Sequence, residues 1–260
     1  MHHTDSTTIN KHAHHDIRIF HFGVGLILFL ESIIIWLLSS SFTLPVTTSY
    51  LQKNLELGVL ASQTEEIFRI QTAHLLVLFL LIAGISHLII SLPKVFKIYS
   101  KNIEEKNNPF RWLEYGITAP IMVVTLALLT GVFDLSTLIL LWFLNVCMIL
   151  FGQNMEAINK NRAKTDWSSF IYGGLAGAIP WIIIWMYIVG ARAGNFIPVN
   201  IIWAFASLVF FFTLFPANLF LYYKKIGPWK NYEHVENMFI LLSLVSKSAL
   251  AWQIFIGVLG

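Results

Sequence analysis

Seven long apolar runs, separated by short polar segments, constrain this chain more than any other feature of its sequence. A helix crosses the roughly 30 Å of bilayer hydrocarbon in about 20 residues, and each run is close to that length. Only 12% of the residues are charged, which is far below the usual fraction in soluble domains. The sequence therefore predicts an all-α membrane protein with seven transmembrane helices. We expect the spans near 19–41, 70–93, 109–131, 135–153, 170–190, 198–223 and 236–258.

The segments outside the predicted spans are short. We expect residues 1–18 to form an N-terminal tail and residues 19–260 to form the bundle, with no room for a soluble domain. The tail contains five histidines, which we interpret as part of a solvated segment, and we predict no bound metal. The longest connection, residues 42–69, contains LPVTTSYL and an alternating stretch, a pattern that predicts a β-hairpin.

Lysine and arginine are unevenly distributed between the two sets of loops. Of the seventeen basic residues, thirteen fall in the tail and in the second, fourth and sixth loops, on one side of the membrane. Lys53, Arg69 and Arg192 fall on the other side. Because basic loops stay in the cytoplasm, we predict a cytoplasmic N-terminus and an extracellular C-terminus, the inverse of most seven-helix receptors and pumps. The clusters are short and juxtamembrane, which predicts a cell-membrane protein with no nucleic-acid partner. The thirteen are Lys11, Arg18, Lys94, Lys97, Lys101, Lys106, Arg111, Lys160, Arg162, Lys164, Lys224, Lys225 and Lys230.

The seventeenth basic residue, Lys247, lies mid-way along the last predicted span. A lysine at the centre of a membrane helix costs about 2.5–3.5 kcal/mol on insertion scales, and this one is too deep to reach the interface. Burial favours the neutral amine, which is the nucleophile that condenses with an aldehyde to form a Schiff base. The alternative is a buried ion pair that only fixes helix packing.

Two acidic residues, Glu31 and Glu114, are expected inside the spans. Glu114 and His87 lie at similar depths, roughly 8 and 9 Å from the predicted cytoplasmic face. Ser243 precedes Lys247 by one helical turn and shares its face. Each of these side chains has a structural explanation when taken alone, such as a hydrogen-bonded core histidine or an acid at the interface. Their common depth predicts instead a polar cavity beside Lys247.

Five segments carry a resemblance to a known family. The last span, SLVSKSALAWQIF, together with FRWLEY, LNVCMILFG, GAIPWI and LPVTTSYL, resembles the heliorhodopsins. These are retinal proteins distantly related to the microbial rhodopsin pumps. The resemblance extends from about residue 18 to the end of the chain, and its motifs occur in the family's order.

The resemblance implies a seven-helix rhodopsin-like bundle with inverted topology and a bound cofactor, all-trans retinal. The retinal is expected on Lys247 as a protonated Schiff base, with Glu114 as the counterion, Ser243 near the linkage and His87 in a cavity on the cytoplasmic side. The loop of residues 42–69 is expected to form an extracellular hairpin at the interface of a homodimer. The resemblance also places five residues around the retinal: Met122, Asn145, Ile149, Trp181 and Phe212.

One feature departs from the family pattern. Heliorhodopsins commonly have a second cavity histidine in the first span, and an ungapped match puts Leu28 at that position. Glu31 lies three residues further on and on nearly the same face. We therefore expect an additional acid, and an additional proton site, near the Schiff base.

These residues predict a light sensor. We expect light to isomerise retinal to the 13-cis form, to turn the Schiff-base N–H away from Glu114, and to drive proton transfer and a slow photocycle that serves signalling or regulation. One alternative is a light-gated proton channel or weak transporter that uses Glu31. Another is a light-dependent regulator of a partner enzyme. The sequence contains no HExxH, GxSxG or phosphate-binding glycine loop, so we do not expect the chain itself to be an enzyme.

Overall fold

A computed structural model describes residues 4–53, 58–192 and 198–259 of the chain. This part of the protein contains eight α-helices, one β-hairpin and a short 3₁₀ helix at Gly227–Lys230 between the last two α-helices. The last helix ends in a π-helical turn at Phe255–Leu259. In chain order the elements are α1 Thr4–Leu38, β1 Thr43–Lys53, β2 Leu60–Gln71, α2 Thr72–Ser91, α3 Pro93–Glu104, α4 Pro109–Leu129, α5 Leu135–Asn159, α6 Ser168–Arg192, α7 Val199–Tyr223 and α8 Tyr232–Ile254.

Seven helices in the described part of the chain are long and apolar enough to cross a membrane, which confirms the predicted bundle. The first span begins at Asp16, within a helix whose backbone extends back to Thr4 through most of the predicted tail. The side chains of the tail histidines lie outside the described residues. The other spans agree with the predicted ones to within a few residues, apart from the end of α5, which continues to Asn159, and the start of α8 at Tyr232.

The extra helix, α3, was not predicted as a separate element. Pro93 stands at its first turn, where a missing N–H costs nothing, and its buried side chains are Phe96, Tyr99 and Ile103. These three positions repeat at helical spacing between exposed lysines. The helix is short and polar overall, so its sequence resembles a basic loop rather than a span.

The predicted hairpin is present as an antiparallel pair of strands, β1 and β2, that runs from Thr43↔Gln71 to Lys53↔Leu60. A register shift follows Val46, and Thr47 N there donates a hydrogen bond of 2.8 Å to Phe133 O. This contact fixes the base of the hairpin against the turn between α4 and α5. The tip, residues 54–57, lies outside the described residues.

Helix α4 occupies the centre of the bundle. In the most apolar 18-residue stretch of α4, 72% of the residues are buried, whereas in the corresponding stretch of α7 only 17% are buried. Asn108 caps its first turn by accepting a hydrogen bond of 3.2 Å from Phe110 N. Because α4 is surrounded by other helices, polar side chains on it face protein and not lipid.

Candidate functional site

Lys247 is buried in the middle of α8, with 2% of its surface exposed. Its Nζ donates a hydrogen bond of 2.6 Å to Ser243 Oγ, one turn earlier on the same helix. The same atom lies 3.2 Å from Glu114 Oε1 of α4, and the two side chains are 3% and 5% exposed. The structure thus brings these three predicted residues together in one contact.

Two neighbours complete the surroundings of this ion pair. Thr118 Oγ1 donates a hydrogen bond of 2.8 Å to Glu114 Oε1, the oxygen that faces the lysine. The Tyr115 ring lies 5.0 Å from Lys247 Nζ, within the range of a cation–π contact. The positive charge on the Lys247 nitrogen is therefore stabilised by an acid, a hydroxyl and an aromatic face.

A cavity of about 370 Å³ begins at Lys247 and extends among α4, α5, α6 and α7. Small-molecule sites usually have volumes of roughly 300–1,000 Å³ and mostly apolar walls. The walls here are aromatic and aliphatic, so they suit an apolar cofactor whose reactive end meets the amine. Four of the predicted pocket residues line the cavity: Met122, Ile149, Trp181 and Phe212. Lining residues that the sequence analysis missed include Trp112, Tyr115, Thr118, Phe215, Phe239 and Ser246.

The fifth predicted pocket residue, Asn145, is buried on α5 but is not among the residues that line the cavity. Its side-chain oxygen Oδ1 has no protein partner. Asn145 thus lies one helical turn before the lining residue Ile149 and does not itself line the cavity.

Two glycines allow large side chains to form the cavity wall. A Cβ atom on Gly152 would lie 2.4 Å from the ring of Trp112, and one on Gly177 would lie 2.3 Å from Met148 Sδ. Such distances are far below van der Waals contact. The missing Cβ atoms thus leave room for the Trp112 ring and the Met148 thioether to pack against the space where a cofactor would lie.

A second cavity, of about 20 Å³, lies between Glu114, the end of α2 and the middle of α3. Its lining includes His87, Glu114 and His21, and the two histidines are joined by a 2.7 Å contact between their Nδ1 atoms. The placement of Leu28 as the first-span counterpart of a cavity histidine was therefore wrong. Leu28 is fully buried in the apolar core, whereas His21 reaches His87 because it lies two turns nearer the start of α1.

Bordering this cavity is a group of buried charges that the sequence analysis missed. Arg111, only 5% exposed, forms short ion pairs with Glu156 of α5 and Glu236 of α8. Counting Arg111 among the loop residues was wrong, because it follows a proline and an aromatic residue that start α4 inside the bundle. Glu156 and Glu236 were not predicted as buried acids, because they lie close to the predicted ends of their spans, where charged residues usually face water.

Glu31 is half-buried on α1 and binds a different face of α8. Its carboxylate accepts hydrogen bonds of 2.7 Å from Ser248 Oγ and 3.0 Å from Trp252 Nε1. It lines neither of the two cavities. The structure thus brings Glu31 to the residue after Lys247 but not into the polar group around the amine.

The fold and this site together define a class. Seven membrane helices with a buried lysine, an acid beside its nitrogen and an apolar cavity are the arrangement of a rhodopsin-type retinal protein. The crystal structure of Exiguobacterium sibiricum rhodopsin has the same fold, with a TM-score of 0.63 at 17% sequence identity over 95% of this chain and 96% of that one. Among curated proteins no sequence matches this chain.

The family is shown by the sequence itself. The heliorhodopsin family model matches residues 17–259, and the chain belongs to the heliorhodopsin family. It is therefore a multi-pass membrane protein that senses light with a retinal chromophore.

Proposed function

We propose that the protein is a signalling or regulatory photoreceptor in which Lys247 carries the chromophore and Glu114 balances its charge. The observation that carries this proposal is the 3.2 Å contact between Lys247 Nζ and Glu114 Oε1 at the mouth of an apolar cavity. When bound, all-trans retinal would supply light absorption through a protonated Schiff base and an isomerisation to 13-cis that turns the N–H away from Glu114.

The residues around the nitrogen hold its proton in the dark. Glu114 supplies the negative charge, and Thr118 keeps that carboxylate in place by donating to the oxygen that faces the lysine. Ser243 accepts from the nitrogen on the same helix. The Lys247 nitrogen and the Glu114 carboxylate form one ion pair, so the protonation state of each depends on that of the other. Their titration is therefore a property of the pair and not of either residue alone.

The polar groups that can take the proton after light lie on one side of the nitrogen. Glu114 borders the small cavity, and His87 and His21 line it as a hydrogen-bonded pair. If both histidines are neutral, their Nδ1–Nδ1 contact needs one ring to donate and the other to accept, so the pair has one Nε2 free to bind a further proton. We expect the proton to move to this cavity and to return from it.

Sensing is a better fit than pumping because α4 has no second acid after Glu114. The remainder of the helix reads YGITAPIMVVTLALL, without a carboxylate for directed release and uptake. The channel alternative requires Glu31 to join the proton path. Its hydrogen bonds to Ser248 and Trp252 do not favour that role, and light-evoked currents in voltage-clamped cells are the test.

The orientation and assembly of the protein are part of this proposal. Exposed lysines on α3 (Lys94, Lys97 and Lys101) add to the basic residues on the side of the N-terminus, which supports a cytoplasmic N-terminus in the cell membrane. On the opposite side, Leu51 and Leu60 of the hairpin are 72% and 68% exposed. Apolar side chains exposed on a hairpin outside the bundle support its use in a homodimer.

Reconstitution with retinal tests the proposal directly. The apoprotein with added all-trans retinal should develop a visible absorbance band and a light-driven cycle in flash photolysis. Lys247→Ala should develop no such band, while the matched control Lys225→Ala, at an exposed position after α7, should behave as wild type. A stable visible adduct in Lys247→Ala would overturn the assignment of the site.

A further inference from the structure

Resting on that proposed function, we propose that Glu236 is a second proton site, which stores the proton beyond the histidine pair while the photocycle runs. Glu236 belongs to the buried charge cluster, which consists of Arg111, Glu156 and Glu236 with the neighbours that hydrogen-bond to them.

The charge cluster has an excess of negative charge. Arg111 donates from Nη1 to Glu236 and from Nη2 to Glu156, and it is the only cation that contacts either acid among the described residues. Two carboxylates and one guanidinium give the cluster a formal charge of −1. All three side chains are buried, so solvent does not compensate that charge. A buried group with one uncompensated negative charge is a site at which a proton is stabilised.

The other groups that face the two carboxylates are neutral donors. Glu236 Oε1 accepts from Tyr99 Oη at 2.9 Å and from Asn108 Nδ2 at 2.6 Å. Glu156 accepts from Tyr232 Oη at 3.0 Å, from Trp112 Nε1 at 2.7 Å and from Asn108 N at 3.3 Å. Burial, together with the Glu236 carboxylate, holds the pKa of Tyr99 well above its ordinary value, so that its hydroxyl stays protonated and donates.

Glu236 and not Glu156 faces the small cavity. The residues that line this cavity include Glu114, His87 and His21 together with Tyr99, Arg111 and Glu236. Tyr99 also packs edge-on against the His21 ring, with 4.7 Å between the ring centroids. The cavity therefore connects the acid beside Lys247 with Glu236, while Glu156 lies behind Arg111.

Three buried nitrogens in the lining have no protein partner: His21 Nε2, His87 Nε2 and Arg111 Nε. Unpaired buried polar atoms are costly, and a cavity of about 20 Å³ with several polar partners has room for a water molecule. Water bound there would satisfy these nitrogens and would connect the histidine pair with Glu236.

The proposed transfer conserves protons. The N–H bond at Lys247 breaks and the histidine pair takes the proton. A cavity water then accepts that proton and donates one of its own, so that an O–H bond forms on Glu236. Arg111 then balances Glu156 one to one, and the cluster becomes neutral. The thermal return reverses each step and consumes no proton.

Light-minus-dark infrared spectroscopy of the carboxylic-acid C=O stretch tests this inference in the retinal-loaded protein. We expect a positive carboxyl band in the intermediate that has lost the nitrogen proton. The band should disappear in Glu236→Gln and persist in the matched control Glu156→Gln. Tyr99→Phe serves as a second variant: removal of one donor to the carboxyl should shift the band to higher frequency.

The outcomes separate this inference from the function on which it rests. A missing visible band or photocycle in the wild type contradicts the photoreceptor proposal. A normal photocycle in which the carboxyl band is absent, persists in Glu236→Gln, disappears in Glu156→Gln or is unmoved in Tyr99→Phe overturns the storage site alone.

Discussion

Replacement of Glu114 by glutamine removes the charge that faces Lys247 while keeping the size of the side chain. In the wild type the carboxylate oxygen Oε1 lies 3.2 Å from the lysine nitrogen and accepts a second hydrogen bond from Thr118. Glutamine retains a carbonyl oxygen at that position, so the hydrogen bonds can persist. The substitution therefore isolates the contribution of the negative charge to holding the proton on the Schiff-base nitrogen.

The size of that contribution follows from the geometry. At 3.2 Å, Coulomb's law with an effective dielectric constant of about 20 gives about 5 kcal/mol. One pH unit corresponds to about 1.36 kcal/mol, so the charge stabilises the protonated nitrogen by roughly 3 to 4 pH units. Because the acid favours the protonated form, its removal should move deprotonation to lower pH. We expect the midpoint of the loss of the visible band on alkalinisation to fall by about 3 pH units.

A pH titration of the visible band, in wild type and variants in the same lipid nanodiscs, measures this midpoint. Glu31→Gln is the matched control, because it neutralises the other acid expected from the sequence, whose partners are Ser248 and Trp252. Its midpoint should lie within about one pH unit of the wild type, since Glu31 is not paired with the amine. If Glu114→Gln titrates within one unit of the wild type, or if Glu31→Gln moves further than Glu114→Gln, then Glu114 is not the counterion.

Three further substitutions probe other parts of the site. Ser243→Ala removes the 2.6 Å hydrogen bond to the amine and should lower the same midpoint by one pH unit or less, because such a bond contributes about 1 kcal/mol. Gly152→Ala places a methyl group against the rigid Trp112 ring and should reduce retinal uptake severalfold. Gly190→Ala, which has open space around it and does not line the cavity, should bind retinal normally in the same absorbance assay. Arg111→Gln leaves two buried carboxylates unpaired and should cost about 3–5 kcal/mol of stability, visible as a lower melting temperature in the dark.

The fold was predictable because membrane spans follow from local composition. Each apolar run had the length that hydrocarbon demands, and the structure confirms seven spans and the hairpin. The proximity of Lys247 and Ser243 could also be predicted from the sequence, since a one-turn spacing places two side chains on the same face of a helix. Their contact in the structure is the direct result of that spacing.

The parts that escaped prediction depend on how helices pack against one another. Tyr99 looked like part of a basic loop, because only its repeat with two other buried residues marks the inner face of α3. Arg111 and Glu236 looked like residues at the membrane surface, because hydropathy locates a span end without showing that neighbouring helices cover it. His21 was missed and Leu28 was assigned its position, because an ungapped match does not fix the register between distant relatives. In each case a contact between separate helices supplied the missing information.

The direction of the polar groups relative to Lys247 argues for sensing. In an α-helix the side chains lean toward the N-terminus, so the Lys247 amine points toward Ser243 and the start of α8. Glu114, the histidine pair and the charge cluster all continue in that direction. The large cavity, which reaches Trp112 and Phe239 toward the same ends of α4 and α8, has mainly apolar walls. On the other side of the nitrogen, Glu31 is held by Ser248 and Trp252 and lines neither cavity. A pump needs a polar route on each side of the nitrogen, one for release and one for uptake. With a single route, a proton that leaves must return the way it came, so the light energy is available for a change of conformation and no net transport is expected.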